Sequence, residues 1–177
     1  MAKIRQNIQL LLSAQAISQR VIELARLIEA HHVGKELILI GLLKGAYCFM
    51  ADLAREIDLD IQISFMTVSS YGSGQVSSGS IKIIQDIDCA IEGKNVLIVE
   101  DIIDTGQTID AVFKYLQSRL PASVRICTLL DKPSCRKVFV KADYVGFTIE
   151  DHFVVGYGMD VDGNYRDLPY IGIYTSV

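Results

Sequence analysis

The chain has 177 residues, of which half are hydrophobic, and a formal net charge of −4. Such a length and composition are typical of one globular α/β domain and exclude a disordered chain. The acidic balance, with no long basic run, argues against nucleic acid as the main partner. No signal peptide is recognisable, and no apolar run reaches the roughly 18 to 20 residues of a membrane span. Four cysteines without a Cys-x-x-Cys motif predict reduced thiols and a cytoplasmic location.

Predicted helices and strands alternate along most of the chain. Apolar residues at helical spacing predict a helix over residues 14–31, which Gly34 closes. A buried strand over 37–43 leads through Lys44 and Gly45 into a second helix, and a third helix ends near 120–121. Further strands are predicted at 61–68, 81–86, 96–99, 124–130 and 144–147. This alternation indicates an α/β fold with a largely parallel, doubly wound sheet and right-handed crossovers.

Polar residues follow three of the predicted strands. They are Lys44, the segment 100–108, and the pair Asp131 and Lys132. Ligands of parallel sheets bind at the carboxyl ends of the strands. The three strands are therefore predicted to bring these polar residues to one rim of the sheet.

The segment 96–108 carries the strongest chemical signal. An apolar, β-branched strand is followed within five residues by Glu100, Asp101 and Asp104. Crowded carboxylates repel one another unless something positive or rich in hydroxyl groups lies beside them. The small polar turn over 105–108 opens a helix, whose free N–H groups and positive end suit a phosphate. The combination favours a ligand with hydroxyl groups, a metal ion and a phosphate, such as a sugar phosphate with Mg²⁺.

A simpler interpretation is that Asp104 or Thr105 caps the helix. Capping does not account for Glu100 lying directly beside Asp101 at the strand end. The whole stretch from Val99 to Gly106, VEDIIDTG, resembles the phosphoribosyl pyrophosphate (PRPP) motif of type I phosphoribosyltransferases.

The resemblance extends from about residue 35 to the C-terminus and is closest to the hypoxanthine-guanine branch of that family. The motifs LKG, SYG, VEDIIDTG, DKP, FVVGYGMD and YRDLPYIG occur in order. It implies one domain over 1–177, with a core over about 35–150 and a small hood formed by terminal segments at about 1–15 and 150–177. It also implies Mg²⁺-dependent transfer of 5-phosphoribosyl from PRPP to N9 of hypoxanthine or guanine. The products would be IMP or GMP and pyrophosphate, and the assembly a dimer or tetramer.

The same resemblance assigns the PRPP-binding residues. Glu100 and Asp101 would hold the ribose hydroxyl groups, directly or through Mg²⁺, and Asp104 would accept the N7 proton as general base. The 5′-phosphate loop would consist of Asp104, Thr105, Gly106, Gln107 and Thr108. Pyrophosphate would be bound by Lys44, Gly45 and Arg166. Without the resemblance, Lys44 and Arg166 would pass for solvated charges.

The resemblance also assigns the purine site and a lid. Lys132, which has donors only, would bind the oxo group at purine C6 and reject the amino group of adenine. Phe153 would stack on the base and Val154 would offer backbone groups to its edge, while Asp160 would join Glu100 and Asp101 as a Mg²⁺ ligand. Ser70 and Tyr71 would belong to a catalytic lid. The simpler interpretations are an exposed Lys132, a core Phe153 and a plain surface loop over 69–80.

Two other classes of protein share some of these features. A receiver-type signalling domain also has a doubly wound sheet, an acidic Mg²⁺ site and a Lys-Pro pair, but its first strand ends in an acidic pair. Here the first buried strand ends in Leu43, Lys44 and Gly45. A PRPP-sensing regulator on the same fold would need a surface for nucleic acid, which the acidic balance disfavours.

Overall fold

The computed structural model describes residues 7–70 and 81–175. Its helices are α1 (Ala14–His32), α2 (Tyr47–Glu56) and α3 (Gln107–Gln117), with a 3₁₀ turn at Pro133–Cys135. Its strands are β1 (Ile8–Leu12), β2 (Leu37–Leu43), β3 (Ile61–Ser70), β4 (Ile81–Gln85), β5 (Asn95–Ile103), β6 (Ser123–Asp131), β7 (Tyr144–Thr148), β8 (Val154–Val155) and β9 (Ile171–Tyr174).

The main sheet has the order β4-β3-β2-β5-β6-β7. All neighbouring strands are parallel except β4, which runs antiparallel to β3 at the edge. Helices α1 and α2 contribute to a hydrophobic core on one face of this sheet, and α3 contributes to a second core on the other face. The predicted largely parallel, doubly wound sheet is therefore confirmed.

Strand β5 is longer than the sequence pattern predicts. Its ladder with β6 continues through Glu100, paired with Thr128, as far as Ile103, paired with Asp131. The apolar pattern stops at Glu100, but backbone pairing does not depend on side-chain polarity. Glu100 and Asp101 consequently lie inside the strand rather than after it.

A second, three-stranded sheet has the order β1-β9-β8 and unites the two ends of the described chain. Strand β9 pairs antiparallel with both β1 and β8. These strands come from the terminal segments for which the resemblance implied a hood. The domain limits themselves stay a prediction.

Candidate active site

The site lies where the direction of chain winding reverses. From β2 the chain proceeds through α2 to β3 on one side, and from β5 through α3 to β6 on the other. The two connections diverge above the adjacent carboxyl ends of β2 and β5, which leaves a crevice there. A Cβ on Gly45, just after β2, would overlap the carboxylate of Asp101 in β5. Only glycine therefore allows the loop after β2 to pack this closely against the acidic strand.

One cavity at this crevice gathers residues from widely separated parts of the sequence. Its volume is about 300 Å³, and it is lined by Gly45, Asp101, Ile102, Asp104, Lys132, Phe153, Val154, Met159, Asp160 and Arg166. All of these except Ile102 and Met159 are predicted site residues. Sequence reasoning missed these two residues. Ile102 follows Asp101 in β5 and Met159 lies within FVVGYGMD, but an isolated apolar residue carries no functional signal in sequence.

A smaller cavity of about 120 Å³ adjoins the start of α3. Its lining includes Glu100, Asp104, Thr105, Gly106 and Thr108. Gly106 is the N-cap, with φ +83°, and as a glycine it has no side chain that could cap the helix. The N-cap is therefore neither Asp104 nor Thr105, although the Thr105 hydroxyl accepts a long hydrogen bond of 3.4 Å from the Gln107 amide. The positive end of α3 thus faces a polar cavity, an arrangement that suits a phosphate.

Glu100 and Asp101 form a buried carboxyl pair on β5. Burial and the neighbouring Asp101 carboxylate raise the pKa of Glu100 well above its usual value. Burial likewise raises the pKa of Asp101. The Oε2 atom of Glu100 is buried and has no hydrogen-bond partner within the described part of the chain. Such a pair is poorly satisfied by the protein alone and is suited to a cation or to hydroxyl groups.

Lys132 is enclosed at the end of β6. Its side chain is 6% exposed, and its Nζ lies 3.4 Å from Asp151 Oδ1 and 3.9 Å from Asp104 Oδ2. The exposed-lysine interpretation is therefore wrong. Hydrogen bonds from the Cys135 thiol and from Lys132 lower the pKa of Asp151. The sequence does not single out Asp151, because the run Glu150, Asp151 and His152 has the composition of a solvated turn.

Arg166 is held by backbone and side-chain partners. Its Nη2 lies 2.6 Å from Asp160 Oδ1, and its Nη1 donates to the Gly158 carbonyl at 2.5 Å. The Tyr47 hydroxyl at the start of α2 donates to the Arg166 carbonyl at 3.2 Å. Arg166 therefore is not a freely solvated charge. Lys44 is exposed and follows a cis peptide bond from Leu43.

The loop before Arg166 is a tight hairpin, and its sequence Asp162, Gly163 and Asn164 is favourable for such a turn. The backbones of Val161 and Asn164 exchange hydrogen bonds of 3.3 and 2.9 Å. Asp162 and Gly163 between them have φ values of +51° and +78°, which is the conformation of a type I′ turn. This turn brings Arg166 back toward Asp160.

Phe153 lies at the mouth of the cavity rather than in the core. It is 56% exposed, and its ring meets Tyr174 edge-on with centroids 6.0 Å apart. Val154 beside it is buried in β8 and pairs with Ile173. The interpretation of Phe153 as a core residue is wrong, and its ring is available to a planar ligand.

The predicted metal ligands do not form one cluster. Among the described residues, no three His, Cys, Asp or Glu side chains are grouped so that they could hold a metal ion. Asp101 and Asp160 line the larger cavity, whereas Glu100 lines the smaller one. Mg²⁺ commonly takes one or two carboxylates and completes its coordination with water and substrate oxygens. The unpartnered Glu100 Oε2 and the raised pKa values fit such a shared site.

The predicted lid is only partly within the described residues. Ser70 ends β3 at the rim of the sheet, where its backbone pairs with Ile81 of β4. Tyr71 lies outside the described residues, so the lid stays a prediction.

Comparison with known proteins agrees with this geometry. Residues 8–162 match the phosphoribosyl transferase domain family, and the chain belongs to that family. It is 48% identical over 170 residues to the hypoxanthine phosphoribosyltransferase of Salmonella typhimurium, which covers 95% of this chain and 96% of that protein. It is 47% identical to the bifunctional protein TilS/HprT of Listeria innocua, of whose length it spans only 26%.

Solved structures give the same result. The chain superimposes on a hypoxanthine phosphoribosyltransferase from Staphylococcus aureus with a TM-score of 0.94 and 44% identity, covering 97% of this chain and 94% of that one. For a hypoxanthine-guanine phosphoribosyltransferase from Bacillus anthracis, the TM-score is 0.92 at 44% identity, with 96% and 99% covered. None of the helices in the described part combines the length and apolar character needed to cross a bilayer.

Proposed function

We propose that this protein is a purine salvage enzyme that transfers 5-phosphoribosyl from PRPP to N9 of hypoxanthine or guanine. One observation carries the proposal. Residues from the motifs after β2, β5, β6 and β8 converge on one cavity, which is adjoined by a helix N-terminus whose N-cap is a glycine. The cavity presents carboxylates, a lysine, an arginine and an exposed aromatic ring together, which are the groups that a sugar phosphate and a planar base require.

Asp104 is the proposed general base. Its side chain is half-exposed, and Asp104 lines both the smaller cavity at the start of α3 and the larger cavity. From that position it would take the N7 proton of the purine as the bond from N9 to the ribose forms. Thr105, Gly106, Gln107 and Thr108 would meanwhile hold the 5′-phosphate at the start of α3.

Lys132 is the proposed selector of the base. Because its ammonium group is buried and donates only, it would pair with the oxo group of hypoxanthine or guanine. Adenine would present an amino group to it, donor against donor, and would lose that hydrogen bond. Phe153 would stack on the purine ring, and backbone groups of Val154 would meet its edge.

A Mg²⁺ ion would be held by the carboxylates Glu100, Asp101 and Asp160 together with substrate oxygens. When bound, it would neutralise the phosphate charge that an acidic rim otherwise repels. Lys44, Gly45 and Arg166 would receive the pyrophosphate, and release of Arg166 from Asp160 would free both side chains for their ligands. Homo-oligomerisation, a lid at Ser70 and Tyr71 and the cytoplasmic location remain predictions.

The decisive experiment is an assay of purified protein with PRPP, Mg²⁺ and each of hypoxanthine, guanine, xanthine and adenine. We expect IMP or GMP together with pyrophosphate from the first two bases, and little or no product from adenine. Efficient use of adenine would contradict the role of Lys132. Absence of nucleotide with every base would contradict the function itself.

A further inference from the structure

Arg136 lies behind the active-site cavity, directly after the 3₁₀ turn that follows β6. Its Nη1 donates to the carbonyl oxygens of Ile103 at 2.6 Å, Lys132 at 3.3 Å, and Asp104. Its Nη2 pairs with the carboxylate of Asp131. One guanidinium group therefore joins the last residues of β5 and β6 to the two loops that leave them.

The position explains why an arginine is needed. The ladder between β5 and β6 ends where Ile103 pairs with Asp131, and beyond this point the two chains separate. The Ile103 carbonyl there also accepts from the Lys132 amide at 3.0 Å, and the Lys132 carbonyl accepts from the Cys135 amide at 3.1 Å. Arg136 adds a side-chain donor that ties these two carbonyl groups to that of Asp104. Arginine presents five donors in a fixed planar fork, whereas the three donors of lysine radiate from a single atom.

The surroundings make this a tightly held group. The side chains of Arg136 and Asp131 are each only 16% exposed. The next two residues continue the attachment, because the amides of Lys137 and Val138 donate to the Thr105 carbonyl at 2.9 and 3.1 Å. The segment 136–138 thus supports the back of the phosphate loop.

We infer that Arg136 is a positioning residue for the transfer reaction, which fixes Asp104 and Lys132 relative to each other. This inference rests on the proposed function. The carbonyl groups that Arg136 binds include those of Asp104, the proposed base, and Lys132, the proposed purine selector. Both side chains must act on one purine ring. The distance between Asp104 Oδ2 and Lys132 Nζ, which is 3.9 Å, therefore has to stay constant.

A purely stabilising ion pair offers a matched control on the same strand. Arg125 near the start of β6 pairs with Asp143 at 3.0 Å, at the end of the strand remote from the cavity. Arg136→Met and Arg125→Met both keep the aliphatic stem and remove all donors. If Arg136 only stabilises the fold, both variants should have a lower melting temperature and unchanged kcat and KM values.

We expect Arg136→Met to lower kcat by at least about tenfold, because misplacement of reacting groups by about 1 Å can cost about 10²-fold. KM for hypoxanthine and KM for PRPP should both rise, since the guanidinium holds the base-selecting loop and the phosphate loop at once. The preference for hypoxanthine over adenine should narrow. Arg125→Met should leave all of these within about twofold.

Arg136→Lys keeps the charge and the pairing with Asp131 but cannot reach all three carbonyl groups. It should fold and show an intermediate loss of kcat, and it supplies the kinetic test should Arg136→Met fail to fold. Kinetic constants in either folded Arg136 variant that match those of Arg125→Met would overturn the inference, as would a change confined to one substrate. Lack of nucleotide formation by the unaltered protein would instead refute the proposed function.

Discussion

The replacement Asp104→Asn separates the proposed chemical role of Asp104 from a structural one. Asparagine keeps the shape of the side chain but cannot take a proton at neutral pH. Since general-base assistance contributes about 10² to 10⁴-fold, kcat should fall by at least about 10²-fold. That factor corresponds to about 2.7 kcal/mol of transition-state stabilisation. The KM for PRPP should change much less, because the phosphate loop is held by backbone groups.

The structure also bounds the effect of this change on stability. At 3.9 Å, Asp104 and Lys132 attract each other by about 1 kcal/mol in water and about 4 kcal/mol at the dielectric of a protein surface. Asp104 is half-exposed, and Lys132 keeps Asp151 as a partner at 3.4 Å. The net loss should therefore be about 1 kcal/mol or less, which is roughly 2–4 °C in melting temperature for a chain of this size.

The assay is nucleotide formation under saturating PRPP, with thermal unfolding measured on the same samples. Asp110→Asn is the matched control, because Asp110 follows Asp104 closely in sequence, in the first turn of α3, but pairs with Lys114 on the surface. That variant should keep kcat within about twofold. If Asp104→Asn also keeps kcat within a few-fold, Asp104 is not the base and the proton must leave to another group or to water.

Three further predictions concern base choice, metal and pH. Lys132→Gln adds an acceptor, so it should weaken the use of hypoxanthine and admit some adenine in the same assay; an unchanged ratio of kcat/KM for the two bases would refute the role of Lys132. EDTA should abolish activity and added Mg²⁺ restore it, whereas full activity in metal-free buffer would contradict the proposed metal. Because the pKa of Glu100 is raised in the folded state, this carboxyl group stays protonated to a higher pH in the folded protein than in the unfolded chain. The free energy of unfolding of the substrate-free protein should therefore fall as the pH rises above about 4.5, the ordinary pKa of glutamate. Glu100→Gln, whose amide can donate to Asp101, should flatten that decline in urea unfolding at several pH values while reducing activity; an unchanged pH dependence would show that Glu100 does not carry the effect.

Local sequence was sufficient for the three helices and for most strands of the main sheet, although not for the full length of β5 or for the strands of the small sheet. Apolar runs such as Val96–Val99 are buried on both faces of the sheet, and their composition alone indicates this. Carboxylates directly after such a run, followed by a small polar turn, predict a phosphate and metal site, because these residue types have few other uses in that order. The Asp162 and Gly163 turn was likewise readable, since its left-handed backbone favours these residues.

Tertiary structure alone decided the environment of individual side chains. Neither the burial of Lys132 nor the exposure of Phe153 follows from local pattern, because each depends on which distant segment covers it. The choice of Gly106 rather than Asp104 as helix cap depends on the left-handed turn there. Strand order, which sets Gly45 against Asp101, is determined by pairing between residues far apart in sequence. Arg136 has no sequence signal, because the carbonyl groups it binds come together only where β5 and β6 diverge in the folded molecule.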